Sequence, residues 1–188
     1  MITIRRARPA DAISIGAVHV AAWRSAYPGI LPDHFLARLS VPRQAAHYDA
    51  AIRSDTGVFV AAASGTDVPQ GSGSRIVGFA TAGRARGGEF ARRLAEGEVE
   101  TLYVLDDWRE CGVGRKLMRA AAAHLAETGC RSCFVWVLRE NPSRWFYQHL
   151  GGKPGAEALI QFAGTKLPQT AFVWDPIERL LAASAQAS

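Results

Sequence analysis

Sulfur is scarce in this chain: three cysteines and two methionines in 188 residues. An odd and small number of cysteines leaves no disulfide framework and fits a reducing compartment. Cys130 and Cys133 have the spacing of a redox pair or of half a zinc site, but no second pair completes it. Residues three apart on a strand also face opposite sides, so no metal is expected. Nowhere do eighteen apolar residues run unbroken, which excludes a long apolar spanning helix and gives the expectation of no membrane partner. The opening Met1-Ile-Thr-Ile-Arg-Arg6 lacks the apolar core of a signal peptide, so a cytoplasmic protein is expected. Aromatic and basic residues do not interleave as in a nucleic-acid groove, and no reader motif or internal repeat is present. No nucleic-acid partner is therefore expected.

What the chain has is apolar bulk and arginine. With 48% apolar residues, one domain with a sizeable core is expected, spanning 1–175, followed by a short C-terminal helix or tail over 176–188. The formal net charge is +5, with arginine clusters at Arg5-Arg6-Arg8 and at Arg84, Arg86, Arg92 and Arg93. These read either as solvated faces or as help for an anionic ligand.

The most informative stretch runs from Gly97 to Thr128. Its first third reads as a strand, with Val99, Thr101 and Tyr103 alternating with Glu98, Glu100, Leu102 and Val104, so both carboxylates are expected on one face. Its last third reads as a helix, because Leu117, Met118, Ala121 and Leu125 recur at spacings of three and four, and Gly129 can cap it. Between them lies Arg109-Glu-Cys-Gly-Val-Gly114, a turn whose glycines permit close backbone approach to a ligand. Helix-initial amides and the positive end of the helix dipole would point into that turn, which makes an anion site. A Walker A loop would need Ser or Thr after Gly-Lys, and a dinucleotide fingerprint would need a small residue where Leu117 stands.

Elsewhere, Ile2 to Arg6 reads as a strand. Pro9-Ala-Asp11 opens a helix whose expected apolar face is Ile13, Ala17, Val20, Ala21 and Trp23. Trp23 to Pro32 is an irregular loop with two aromatics, either roofing a pocket or filling core. Residues 33–53 hold one or two helices, interrupted at Pro42. Residues 58–62 and 75–82 read as paired strands joined by the loop Ser64 to Ser74. Residues 84–93 read as a glycine-broken loop. Cys133 to Leu138 is a buried central strand. Asn141-Pro142-Ser143 opens a short helix closed by Gly151-Gly152, and 156–163 and 170–174 are the last strands. The expected fold is α/β, a mixed and mostly antiparallel sheet flanked by helices in the order β-α-α-β-β-β-α-β-α-β-β.

Two motifs, Arg109-x-x-Gly112-x-Gly114 after a strand ending Leu102-Tyr-Val104, and Trp136-Val-Leu-x-x-Asn141 followed by Phe146-Tyr147-x-x-x-Gly151, occur together. On these residues the chain resembles the GCN5-related N-acetyltransferases (GNAT) from about Ile2 to about Trp174. The resemblance implies the same fold, acetyl-CoA as cosubstrate, and acetyl transfer to a primary amine of a small molecule or peptide by direct attack on the thioester. It implies that Leu102, Tyr103 and Val104 contact acetyl-CoA, as do Arg109, Glu110, Cys111, Gly112, Val113, Gly114 and Arg115. Asn141 is a further cofactor contact or only the cap of its helix. The sequence departs from the family pattern at Asp106, Glu110 and Cys111, and Asn141 lies one residue closer to Tyr147 than in most relatives. A homodimer is compatible with the resemblance, and so is a CoA-binding module without catalysis.

The chemistry asks for a base, because an alkylamine with pKa about 10.4 is almost wholly protonated near neutrality. Glu98 matches the family's frequent strand glutamate and is the catalytic base expected, with Glu100 in reserve. Tyr147 stands where the family's general acid does, and a phenol protonating a thiolate is uphill by about 2 kcal/mol. A backbone amide near Val104 would receive the charge gained by the carbonyl oxygen.

Overall fold

The computed structural model describes residues 1–54, 56–65 and 74–185. Its strands are β1 (Ile2–Arg6), β2 (Gly57–Ala63), β3 (Arg75–Arg84), β4 (Gly97–Val104), β5 (Cys133–Leu138), β6 (Lys153–Phe162) and β7 (Thr165–Trp174). Its helices are α1 (Ala12–Ala26), α2 (Asp33–Ala37), α3 (Val41–Ile52), α4 (Gly88–Leu94), α5 (Val113–Glu127), α6 (Arg144–His149) and α7 (Glu178–Ala185). The strands form one sheet in the order β1-β2-β3-β4-β5-β7-β6, antiparallel at every step except β4 to β5. That parallel step requires a crossover, and α5 supplies it. The loop expected at Ser64 to Ser74 falls largely on residues 66–73, outside the described residues.

Strand alternation sorts the core into two layers. Val58, Val60 and Ala62 of β2 pack with Ile15 and Val18 of α1 and Tyr48 of α3. The intervening Ala61 and Ala63 pack with Val113 and Leu117 of α5. Further along, Met118, Ala121 and Leu125 of α5 join Val99, Phe172 and Trp174, and α6 and the residue after it add Tyr147 and Leu150. Removing this area from water at about 25 cal/mol per Å2 is what holds helices to sheet. Among the described residues no helix is long and apolar enough to cross a membrane.

Several elements differ from the sequence reading. Helix α1 buries Ala12, Ile15, Gly16, Val18, His19, Val20 and Ala22, while Ile13, Ala17 and Ala21 are exposed. Gly16 explains the rotation: a Cβ there would stand 2.8 Å from the Val41 carbonyl oxygen and 2.9 Å from the Ala45 nitrogen, so only glycine lets α1 and α3 close up. Pro42 does not interrupt a helix but starts one, in the first turn of α3, where its missing N–H needs no partner. Residues 84–93 are not all loop: α4 forms over Gly88–Leu94, and Ala91 and Ala95 pack on Phe134 and Ala171. Strand β7 begins earlier than read, passing through Pro168. The Pro168 carbonyl accepts from the Arg139 amide on the β5 side, one residue past the last rung, Leu138 to Gln169, so the missing N–H leaves no rung unmade.

Candidate active site

The parallel pairing of β4 with β5 lasts only two rungs, Gly97 to Cys133 and Glu98 to Phe134. Beyond Glu98 the strands part. The gap opens into a cleft of about 760 Å3, bounded by β4, β5, the end of α1, α3, the N-terminus of α5, α6 and the β6–β7 hairpin. Backbone groups of β4 that point away from β3 have no ladder partner there, so they are available to a ligand.

Register inside β4 is broken once. Thr81 pairs with Thr101 but Ala82 pairs with Val99, so Glu100 is the extra residue of a bulge. Without it, strict alternation would put Glu98 with Leu102 and Val104. Instead Val99, Leu102 and Val104 pack on the α5 side, while Tyr103 meets His19 and Trp23 of α1 at ring separations of 5.2 and 6.3 Å. The expected face is thereby corrected: Glu98 belongs with Thr101 and Tyr103, and both carboxylates line the cleft.

Glu98 is half-buried, and its carboxyl is pushed up from 4.5 to about 7. Desolvation is the main cause and the Glu100 charge the second, while the Arg86 amide and guanidinium pull it back. Arg86 stands 4.0 Å from Glu100 and donates to the Thr56 hydroxyl at 3.3 Å.

At the opposite end, the glycine turn is wound by two left-handed residues, Glu110 at φ 60° and Gly112 at φ 73°. Gly112 is the residue before α5, and the first helical bond runs from Lys116 N–H to its carbonyl. The amides of Val113 and Gly114 therefore precede the first helical bond and face the turn. Gly114 keeps the turn open: a Cβ there would lie 3.3 Å from the Phe146 ring of α6. Asp106 pairs with Arg109 at 2.9 Å and accepts from the Ser25 hydroxyl, which ties the turn to the end of α1.

Tyr147 lies at the cleft wall, 6% exposed, between the rings of Phe146, Phe172 and Trp174. Burial, then the nearby Tyr27, hold its phenol well above the usual value. Asn141 serves a local role: its Oδ1 accepts from the Ser143 amide at 2.9 Å and its Nδ2 donates to the Tyr27 hydroxyl at 3.3 Å. The helix it precedes starts at Arg144, so it caps the approach to α6 and not the first turn itself.

The cleft thus brings together Glu98, Leu102, Tyr103, Val104, Arg109, Glu110, Gly112, Gly114, Arg115, Asn141 and Tyr147. Two residues named from the sequence do not join them by side chain. Cys111 is exposed and outside the lining, and Val113 points into the core, as the first residue of a helix whose apolar stripe packs on the sheet must. Cys133, buried beside Cys130, has its thiol pushed up to about 12, chiefly by desolvation, which disqualifies it as a nucleophile.

Of the far wall, the sequence pointed to Trp23 and Tyr27 but not to His19 or Phe162. His19, buried on α1, shares a 2.7 Å hydrogen bond with the Tyr48 hydroxyl and stacks on Trp23, and burial with His47 nearby lowers its pKa to about 4. Phe162 of β6 completes the aromatic cluster, 5.5 Å from Trp23. A histidine four residues before Trp23 was the available signal.

Residues 20–151 match the acetyltransferase (GNAT) family. The chain belongs to that family. It is 32% identical, over 96% of each chain, to the uncharacterised N-acetyltransferase YuaI of Bacillus subtilis. Its fold resembles that of a ribosomal-protein-alanine N-acetyltransferase from Brucella melitensis, with TM-score 0.67, 20% identity and coverage of 92% of this chain and 99% of that one. It also resembles the PaiA N-acetyltransferase from Thermoplasma acidophilum, solved in complex with coenzyme A, with TM-score 0.61, 16% identity and coverage of 90% and 98%. In this GNAT chain the parted strands and the glycine turn line one cleft, with a slit of open backbone groups leading to the N-terminus of α5. A pantetheine arm carrying amides and ending in a diphosphate fits that sequence of features.

Proposed function

We propose that the protein is an acetyl-CoA-dependent N-acetyltransferase that acetylates a primary amine by direct transfer. The observation that carries this reading is the parting of β4 from β5, which sets Glu98 and Tyr147 around one cleft with the glycine turn at its end. Acetyl-CoA supplies the activated acetyl thioester.

The chain's own residues supply the rest. The amides of Val113 and Gly114 and the side chains of Arg109 and Arg115 hold the diphosphate, and the open backbone of β4 near Val104 orients the arm and receives charge at the carbonyl oxygen. The Glu98 carboxylate takes a proton from the arriving ammonium, a transfer made less uphill by a carboxyl titrating near 7. Tyr147 gives its hydroxyl proton to the departing sulfur and recovers the proton that the new amide nitrogen sheds. Glu98 returns its own proton to solvent. The balance is one C–N bond made, one C–S bond broken and one proton released per turnover. Asn141 positions Tyr27 beside Tyr147.

The test is thiol release from acetyl-CoA in the presence of a panel of amines, with calorimetric titration of acetyl-CoA alongside. Amine-dependent thiol release with stoichiometric N-acetyl product supports the reading. Tight acetyl-CoA binding with no turnover of any amine would make the protein a CoA-binding module.

A further inference from the structure

The acceptor half of this cleft carries a charge pattern from which a substrate class follows, an inference that rests on the transferase reading. Away from the glycine turn, the wall is made by the rings of Trp23, Tyr27, Tyr103 and Phe162, with Trp23 at 5.0 Å from Tyr27 and 5.5 Å from Phe162. Phe35 of α2 backs this wall at 5.7 Å from Phe162. Glu98 and Glu100 enter the same space from β4. The two arginines that line the cleft, Arg109 of the turn and Arg115 of the first turn of α5, lie at the other end. Among the described lining residues of the acceptor half there is no lysine or arginine. Arg86 stands 4.0 Å from Glu100, bonds to Thr56 and does not line the cleft.

Such a wall attracts an ammonium in two ways, through carboxylates and through aromatic faces, and buries an apolar body well. It treats a carboxylate or phosphate in the opposite sense. An anion there would lose its water without gaining a counter-ion and would sit against two glutamates. We propose that the acceptor is an aralkylamine or a similarly apolar primary amine that carries no carboxylate or phosphate. Free amino acids and amino sugar phosphates are excluded by the same charges.

Matched pairs isolate the claim. Phenethylamine and phenylalanine differ only in the carboxylate, as do tryptamine and tryptophan, and phenylalaninamide keeps the branch while removing the charge. The full-length protein is assayed for thiol release from acetyl-CoA with each compound, and each is titrated calorimetrically into protein saturated with CoA. The expected result is a kcat/KM and an affinity about 100-fold higher for each amine than for its amino acid, with phenylalaninamide within about tenfold of phenethylamine. Glu100→Gln should narrow the gap, because it removes one of the repelling charges. Phenylalanine within threefold of phenethylamine in both measurements overturns the proposal, as does absence of millimolar binding by every amine in the set. Selective binding of the amines without acetylation of any would leave the acceptor class standing and sink the transferase reading. Equal acetylation of both members of each pair would do the reverse.

Discussion

Glu98 and Tyr147 reach the same cleft from different environments, and each asks for a separate experiment. For Glu98, a carboxyl titrating near 7 makes kcat/KM rise with pH through about 7 and then level off. Glu98→Gln should abolish that limb and lower the plateau on the order of a hundredfold. Glu100→Gln should instead keep the limb and move it to lower pH, because the Glu100 charge is one cause of the upward shift. If Glu100→Gln, and not Glu98→Gln, removes the limb, the base is Glu100. The same shift has a stability consequence with a definite sign. A carboxyl raised above its unfolded value of 4.5 is neutral in both states at low pH and opposes folding progressively from about 4.5 to about 7. Glu98→Gln should therefore match wild type in thermal midpoint near pH 4 and exceed it increasingly up to pH 7, measured by scanning calorimetry. For Tyr147, replacement by Phe preserves the ring among Phe146, Phe172 and Trp174, so the fold is unaffected. The acid role predicts a single-turnover rate about a hundredfold lower with acetyl-CoA affinity within threefold. A rate within threefold of wild type rejects it.

At the scale of elements, the turn before α5 carries local backbone strain. Glu110 is held at φ 60°, a conformation that disfavours an L-residue with a Cβ by about 1 kcal/mol, and it brings a negative charge to a helix N-terminus built for anions. Glu110→Gly should relieve both, raising acetyl-CoA affinity about threefold, an effect that shrinks as salt is added. Gly112→Asp at φ 73° does the opposite on both counts, and acetyl-CoA binding by calorimetry should fall at least about tenfold in a protein that still folds. Unchanged affinity would place the phosphates elsewhere. The bulge at Glu100 is the other element-scale device. By flipping the strand's alternation it keeps Val99 and Leu102 on α5 while turning Tyr103 toward α1, so one strand serves the core and the cleft wall at once.

For the whole molecule, the two halves of the sheet share only two rungs between β4 and β5, so side-chain packing must hold them together. One cluster does this, running from Val99 and Met118 on one side to Phe172 and Trp174 on the other. Ile177 and Leu180, from the segment after β7, lie in that same cluster, 1% and 0% exposed. We propose a single folding unit that includes α7. Ending the chain after residue 175 should remove on the order of 4 kcal/mol of stability, since one such buried side chain is worth about 2–5 kcal/mol. The intact chain should unfold in one transition with equal calorimetric and van't Hoff enthalpies. Two resolved transitions, or an unchanged denaturant midpoint on truncation, would refute this.

The sequence alone determined the central strand, turn and helix, because a β-branched and aromatic run, a glycine pair and a period of 3.6 are each written in consecutive residues: Val99 to Tyr103, Gly112 to Gly114, and Leu117 to Leu125. The glycine turn and the helix start after it were legible with them, since those elements are contiguous. Helix α4 was hidden because it is short, glycine-started and anchored mainly by alanine, too little apolar contrast to show a period. The α1 face was misread because its orientation follows from the close approach of α3 at Gly16, a contact between residues some thirty positions apart. The bulge at Glu100 depends on how β3 pairs with β4, which no local pattern encodes. The aromatic cleft wall was legible only in part, at Trp23, Tyr27 and Tyr103: His19, Tyr48, Tyr103 and Phe162 come from four elements, and only the folded sheet brings their rings and the two glutamates around one space.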